Sequence, residues 1–354
     1  MDKQYCEKGG KSQSMIPRME NLDLAKGIAV LFMIQVHLME VFARPGVLNS
    51  LIGKISLFLG GPLVAPVFLT IFGFLLANQS YSVPDLLLRG GKLIVFGLLL
   101  NIGLNFNLLI KIHAAIIDVN QWEYLLGVDI LLSAGLGILI LTIVRIFYKA
   151  SISAYLITAL FIVLVTPYVS SLITVNTYWK YPLAFIGGKY SWSYFPLFPW
   201  LAYTLVGYAF SLYVQRQKSE FEISQRLKRC CFLFLSLSVP ITAFYVVPNI
   251  VDLDRYYHHG LSMFLWNICL LSFWLWFLWN VENEYSNMQP FKHLKWLGRN
   301  VTVSYAIQWL IIGNIGTNVY KTQGLDELIV WLFLVILAVI SAIFILKLIW
   351  RSAY

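Results

Sequence analysis

Apolar residues in this chain come in long runs separated by short polar stretches. A run of about 20 apolar residues is long enough to cross a bilayer as a helix. Ten such runs are read, at 24–43, 62–79, 86–106, 124–147, 152–174, 196–214, 229–248, 261–281, 300–319 and 327–349. The segment 51–60 is too short to span and is expected to lie in the interface or to re-enter the membrane. Because lipid offers no partner to a backbone polar group, each spanning run is expected to be helical. The pattern therefore predicts an all-α fold: a polytopic transmembrane helical bundle of about ten spans. Residues 1–20 are polar and mixed in charge, unlike a cleavable signal. They are read as a cytoplasmic N-terminal segment, and 21–354 as one transmembrane domain without internal repeat or linker.

Composition removes the soluble classes. The chain is 59% hydrophobic and 12% charged, with a mean hydropathy of +0.73, whereas a soluble domain is about 25% charged. With the N-terminus placed inside, 19 of the 26 Lys and Arg residues fall in inner segments and 7 in outer ones. The positive-inside rule then puts both termini in the cytoplasm. The net charge of +9 becomes a topology signal and not a nucleic-acid footprint, since the basic residues sit in short loops. Four cysteines, Cys6, Cys230, Cys231 and Cys269, lack zinc spacing and receive no role.

The most informative polar residues lie inside the first run. An imidazole and a carboxylate in a membrane helix are costly unless they have partners, a wet cavity or chemistry to do. His37 and Glu40 are three residues apart and so share a helix face. They are the candidate acid–base pair, in the outer half of the span. Arg89 and Lys92, also at i and i+3, begin the third run at its inner end. They read equally as positive-inside anchors or as a binding site for an anion. Asn101 and Asn105 share a face of the same run, either lining a cavity or holding helices together. His113 falls in the outer loop before the fourth run, and Asp129 near that run's start is read as binding an acceptor or pairing with a basic residue. The outer segment 178–200 is rich in Trp and Tyr and reads as an interfacial belt. Trp200, bracketed by Pro196 and Pro199, is its candidate sugar-stacking residue. His258-His259 has half the look of a metal site, but no HExxH or carboxylate triad accompanies it. It is read as a surface pair, and no metal is expected.

Several stretches together resemble a family. Arg18-Met-Glu-Asn-Leu22-Asp23-Leu-Ala-Lys26-Gly27 followed by an apolar helix with His37 is similar to the first helix of membrane-bound acyltransferases. Gly61-Pro62 to Phe72-Gly73 resembles their second helix. Arg89-Gly-Gly-Lys92 stands where they carry a pair of arginines. Tyr194-Phe-Pro196-Leu-Phe-Pro199-Trp200 with Gly207, and Leu297-Gly-Arg299-Asn300 with Tyr305 and Gln308-Trp309, resemble elements of the heparan-α-glucosaminide N-acetyltransferase-like branch of the acyltransferase-3-like superfamily. Lys26 and Lys92 replace arginines and Gln308 replaces a common histidine; lysine is a point charge without the bidentate fork.

The resemblance implies an integral membrane transferase that moves an acyl group, acetyl above all, from cytoplasmic acyl-CoA to a hydroxyl or amine of an extracytoplasmic glycan or glycolipid. It implies acyl-CoA (acetyl-CoA) as donor substrate, with Arg89, Lys92 and Lys26 as its binding residues. His37 would be the base or acyl carrier, with Glu40 beside it. The weaker substrate contacts would be Asn101, Asn105, His113, Asp129 and Trp200. A bacterial chain of this kind would reside in the inner (cytoplasmic) membrane. A homodimer is left open. The alternatives are a secondary transporter or flippase for a small solute or lipid-linked sugar, which often shows two similar halves that are not seen here, and an enzyme that processes polyprenyl sugars.

Overall fold

A computed structural model of the protein describes residues 18–216 and 225–352. Nearly all of the expected segment 1–20, Cys6, and the side chains of Cys230 and Cys231 lie outside the described residues. The first helices are α1 (Glu20–Phe42), α2 (Pro45–Leu48), α3 (Leu51–Gly60), α4 (Ala65–Ala77), α5 (Val83–Leu104) and α6 (Phe106–His113). Next come α7 (Gln121–Leu125), α8 (Ile130–Tyr148), α9 (Ile152–Ile173), α10 (Lys180–Ile186), α11 (Leu197–Arg216) and α12 (Gln225–Val251). The chain closes with α13 (Leu253–Tyr257), α14 (Leu261–Tyr285), α15 (Gln289–Gly298), α16 (Val301–Val319) and α17 (Leu325–Ser352).

Among the described residues, eight helical stretches are long and apolar enough to cross a membrane. They are α1, the joined pair α3–α4, α5, α8, α9, α11, α14 and α17. The other two predicted runs are the helices α12 and α16. The short segment 51–60 is α3, which packs on α1 and turns through 61–64 into α4. One boundary is corrected. The run predicted from residue 124 begins its long helix only at Ile130, because Asp129 stops there in extended conformation and its side chain accepts from Leu132 N at 2.9 Å. A carboxylate at an N-cap satisfies a backbone N–H that has no partner within the helix. Similar caps start α5, with a Ser82–Asp85 capping box, and α9, with Ser151.

Two apolar cores fill the bundle. One surrounds α1, where Met33, Ile34, Leu38 and Phe42 pack with Ile312 of α16 and Val335, Val339 and Ile343 of α17. The other joins α4, α8, α9, α11 and α14 around Trp200, Tyr155 and Tyr203. They meet at a seam formed by Phe32, Leu93, Ile130 and Trp274, which pack against both. Backbones come into near contact at two crossings. A Cβ added at Gly73 of α4 would strike the Thr204 carbonyl of α11, and one at Gly207 of α11 would strike the Thr70 carbonyl of α4. Gly27 of α1 and Gly298 of α15 likewise press on the carbonyls of Leu294 and Asp23. Small residues at such crossings gain dispersion contact where lipid gives no hydrophobic drive. Outward faces of α9 and α17 expose Ile157, Phe161, Phe333 and Leu337, as helices bordered by lipid do.

Candidate active site

The seam between the two cores holds the candidate site. His37 and Glu40 line a small cavity of about 30 Å³ with Met33, Val36, Phe68, Ile130, Phe195, Tyr256, Tyr257 and Tyr305. That is room for roughly two waters. The His37 imidazole stacks on Trp309 of α16, ring centroids 4.2 Å apart and planes 34° from each other. Gln308, fully buried, stands beside the same ring. Glu40 has Tyr257 as its hydrogen-bonding neighbour and lies in the field of Lys321.

Lys321 is brought there by backbone pairing. Its N–H donates to the Val41 carbonyl at 3.0 Å, Gln323 N donates to the Phe42 carbonyl at 2.9 Å, and Arg44 N donates to the Gln323 carbonyl at 2.9 Å. The loop after α16 is thus bound to the end of α1. Burial pulls the Lys321 ammonium below its ordinary pKa, with the Glu40 charge opposing.

A second, larger cavity of about 340 Å³ adjoins the first. Phe68, Ile130 and Tyr305 line both. Its far mouth is formed by Lys26 of α1, by Arg299 and Asn300 between α15 and α16, and by Val301 and Thr302. The charges at this mouth are linked. Asp23, 3% exposed, receives Arg18 at 2.8 Å, Lys26 at 2.9 Å and Arg299 at 3.2 Å. Lys295 pairs with Glu20 at 2.6 Å and Glu282 at 3.1 Å. Burial works against the Lys295 ammonium, but the two carboxylates outweigh it and hold its pKa above the ordinary lysine value. The partition between the chambers is pinned by Tyr305, whose hydroxyl donates to Asp129 Oδ2 at 3.2 Å. Asp129 is itself fixed by the loop before α8, which is tied to 192–195 through Val128 N to the Trp192 carbonyl (2.8 Å) and Phe195 N to the Val128 carbonyl (2.9 Å).

The remaining sequence candidates separate by position. Arg89 and Lys92 are exposed on α5, and Arg89 lies 4.5 Å over the Tyr81 ring; from that helix it is Leu93 that reaches the larger cavity. Asn101 Nδ2 donates to the carbonyls of Leu125 and Gly127, and Asn105 Nδ2 to those of Asn101 and Tyr124. Both amides hold the turn after α7 in place. Asp129 pairs with a tyrosine and a backbone N–H, where an acceptor or a basic partner was expected. His113 is exposed at the end of α6. Trp200 is 0% exposed, and its indole N–H donates to the Tyr257 carbonyl at 2.8 Å. It stands behind the cavity wall, away from any surface an acceptor sugar could stack on.

The surface reading of His258 and His259 is overturned. Both are buried. The Tyr256 carbonyl can only accept, so the neutral His259 ring leaves Nε2 to accept from the Tyr203 hydroxyl at 2.8 Å, and that hydroxyl in turn accepts from Asn267 Nδ2 at 2.8 Å. His259 then carries its proton on Nδ1, which donates to the Tyr256 carbonyl at 2.7 Å. Burial pushes His259 down to about 4 and lowers His258 as well. The belt segment divides too: Tyr178 and Trp179 are exposed, whereas Trp192 is buried and stacks on Tyr190. Among the described residues, no three His, Cys, Asp or Glu side chains gather as a metal site would require.

Arg299, Tyr257, Phe68 and Lys321 were given no role in the sequence reading. Arg299 had a signal, since it belongs to the Leu297–Asn300 stretch that resembles the acyltransferases. The others join the site only through contacts between distant parts of the chain.

A sequence profile of the catalytic domain of heparan-alpha-glucosaminide N-acetyltransferase matches residues 18–247. The chain belongs to that family. It is therefore a multi-pass membrane acetyltransferase, an acyltransferase that acts on glycans in general. The comparisons with curated proteins and with solved structures returned no match. In this acetyltransferase the matched range carries His37, Glu40, Lys26 and the partition residues Phe68 and Ile130. Arg299, Tyr305, Gln308, Trp309 and Lys321 lie beyond it.

Proposed function

We propose that the protein transfers an acetyl group from cytoplasmic acetyl-CoA to a hydroxyl or amine of an extracytoplasmic glycan or glycolipid, with His37 as the base. One observation carries this reading: a cavity with cations at its mouth and a cavity holding His37 and Glu40 share the wall Phe68, Ile130 and Tyr305. Lys26 and Arg299 are assigned to the phosphates nearest the pantetheine arm. Arg89 and Lys92 are assigned to the outer phosphates, beyond the mouth. The larger cavity admits the arm, and movement of the shared wall admits the acyl end to His37. Both termini lie in the cytoplasm in this reading, and the Glu40–Lys321 end receives the acceptor.

The chemistry follows from the residue types. An attacking hydroxyl must lose its proton as it meets the thioester carbon, and a neutral imidazole can take it near neutral pH. The glutamate keeps a negative charge or a hydrogen bond available to the imidazolium that forms. Membership of an acetyltransferase family supports acetyl as the group transferred. Nothing favours the transporter reading.

The test uses purified protein in liposomes with acetyl-CoA on one side only. Acetyl transfer to a glycolipid or soluble sugar acceptor on the opposite side, with CoA released on the donor side, is the expected outcome. Solute movement without consumption of acetyl-CoA would reject it. Lys26→Ala with Arg299→Ala should weaken acetyl-CoA binding more than Arg89→Ala with Lys92→Ala, because each charge-assisted hydrogen bond lost near the arm costs roughly 1.5–3 kcal/mol.

A further inference from the structure

Four buried polar atoms at the His37 site, His37 Nδ1, Gln308 Nε2, Gln308 Oε1 and Trp309 Nε1, make no well-formed hydrogen bond; the Gln308 amide stands within reach of His37 and the Trp309 indole within reach of the Tyr305 hydroxyl. A buried amide without well-formed hydrogen bonds costs folding free energy. Gln308 is 0% exposed and pays that cost on the helix that faces His37. Tyr305, Gln308 and Trp309 lie at i, i+3 and i+4, so they share one face of α16. Tyr305 at the start of that face borders both cavities, and Trp309 at its end stacks on the imidazole.

We propose that the Gln308 amide N–H and the Trp309 indole N–H are the hydrogen-bond donors that hold the carbonyl oxygen of the acyl thioester, while Gln308 Oε1 orients the His37 ring. This rests on the reading of His37 as the base. In the transfer step the acceptor hydroxyl gives its proton to His37 as its oxygen bonds to the thioester carbon. The carbonyl π pair moves onto the carbonyl oxygen, where the two N–H groups meet the developing charge. Collapse restores the carbonyl, breaks the carbon–sulfur bond, and returns the proton from the imidazolium to the leaving thiolate, giving free CoA. Such N–H groups act chiefly in the transition state, where the oxygen carries most charge.

The experiment measures kcat and KM for acetyl-CoA in purified full-length Trp309→Phe, Gln308→Met, Gln308→His and His37→Gln proteins, with melting temperature in detergent alongside. Trp309→Phe keeps a ring against His37 and removes only the N–H. It and Gln308→Met are each expected to lower kcat about 10²–10³-fold with acetyl-CoA KM little changed. Gln308→His keeps an N–H and should retain more of the rate than Gln308→Met, although it changes the side chain's shape more. The proposal is overturned if Trp309→Phe and Gln308→Met turn over near the parent rate while His37→Gln is inactive. It is also overturned if Gln308→His is no better than Gln308→Met, which would mark the loss as a packing effect. Activity of His37→Gln near the parent rate would instead remove the reading on which the proposal rests.

Discussion

At the residue scale, His37 and Glu40 were legible because a titratable pair in an apolar run is hard to explain by packing alone. Their company was not. Trp309, Gln308 and Lys321 stand more than 250 positions away in sequence, and nothing in the local pattern of either segment announces that they meet. His37→Gln keeps size and a hydrogen bond but cannot take a proton. Transfer measured with labelled acetyl-CoA should fall roughly 10²–10⁴-fold, the usual worth of a positioned acid–base group, with yield and melting temperature near those of the parent. A variant that transfers at near the parent rate would make the histidine structural. The pair His258-His259 was misread because a polar loop normally faces water, whereas Trp200, Tyr203 and Asn267 close over it. That burial has a pH signature. An unfolded His259 takes up its proton near pH 6.5, the folded one only at about 4. Between those values the unfolded chain binds more protons, so stability present above pH 6.5 is lost as pH falls toward 4. The melting temperature in detergent should drop across that window, and His259→Gln should flatten the drop.

At the element scale, the long helices were readable from run length, whereas their ends and the short helices between them, such as α6 and α15, were not. The α8 start shifted to Ile130 because one capping carboxylate decides it, a choice that hydropathy does not register. The helix crossings were equally hidden, since glycines are common in membrane helices for several reasons. Gly73 and Gly207 are specific: each sits against the backbone of the other's helix. Gly207→Val has no free space to fill and must force α4 from α11. Overpacking of this kind costs typically about 1–3 kcal/mol or more. A lowered melting temperature and poor recovery in detergent are expected, whereas Gly91→Val, which has open space around it, should behave as the parent does. Equal behaviour of the two variants would contradict the crossing described.

At the scale of the whole molecule, the proposed function places both termini in the cytoplasm, as the distribution of basic residues leads one to expect. A reporter fused after Arg351 should be active only in its cytoplasmic form; activity in the extracytoplasmic form would reverse every side assignment above. The bundle also has an order of arrival. Helix α1 is made before α15, α16 and α17, yet these form much of its surroundings. About 260 residues separate Phe42 from Val301. At the roughly 5–20 residues per second of protein synthesis, α1 waits on the order of half a minute for those neighbours. During that time Lys26, His37 and Glu40 lack Arg299, Trp309 and Lys321 around them. The helix that carries His37 is thus exposed to degradation and mispairing until these neighbours are made, and anything that delays synthesis of residues 289–352 is expected to reduce the yield of folded protein.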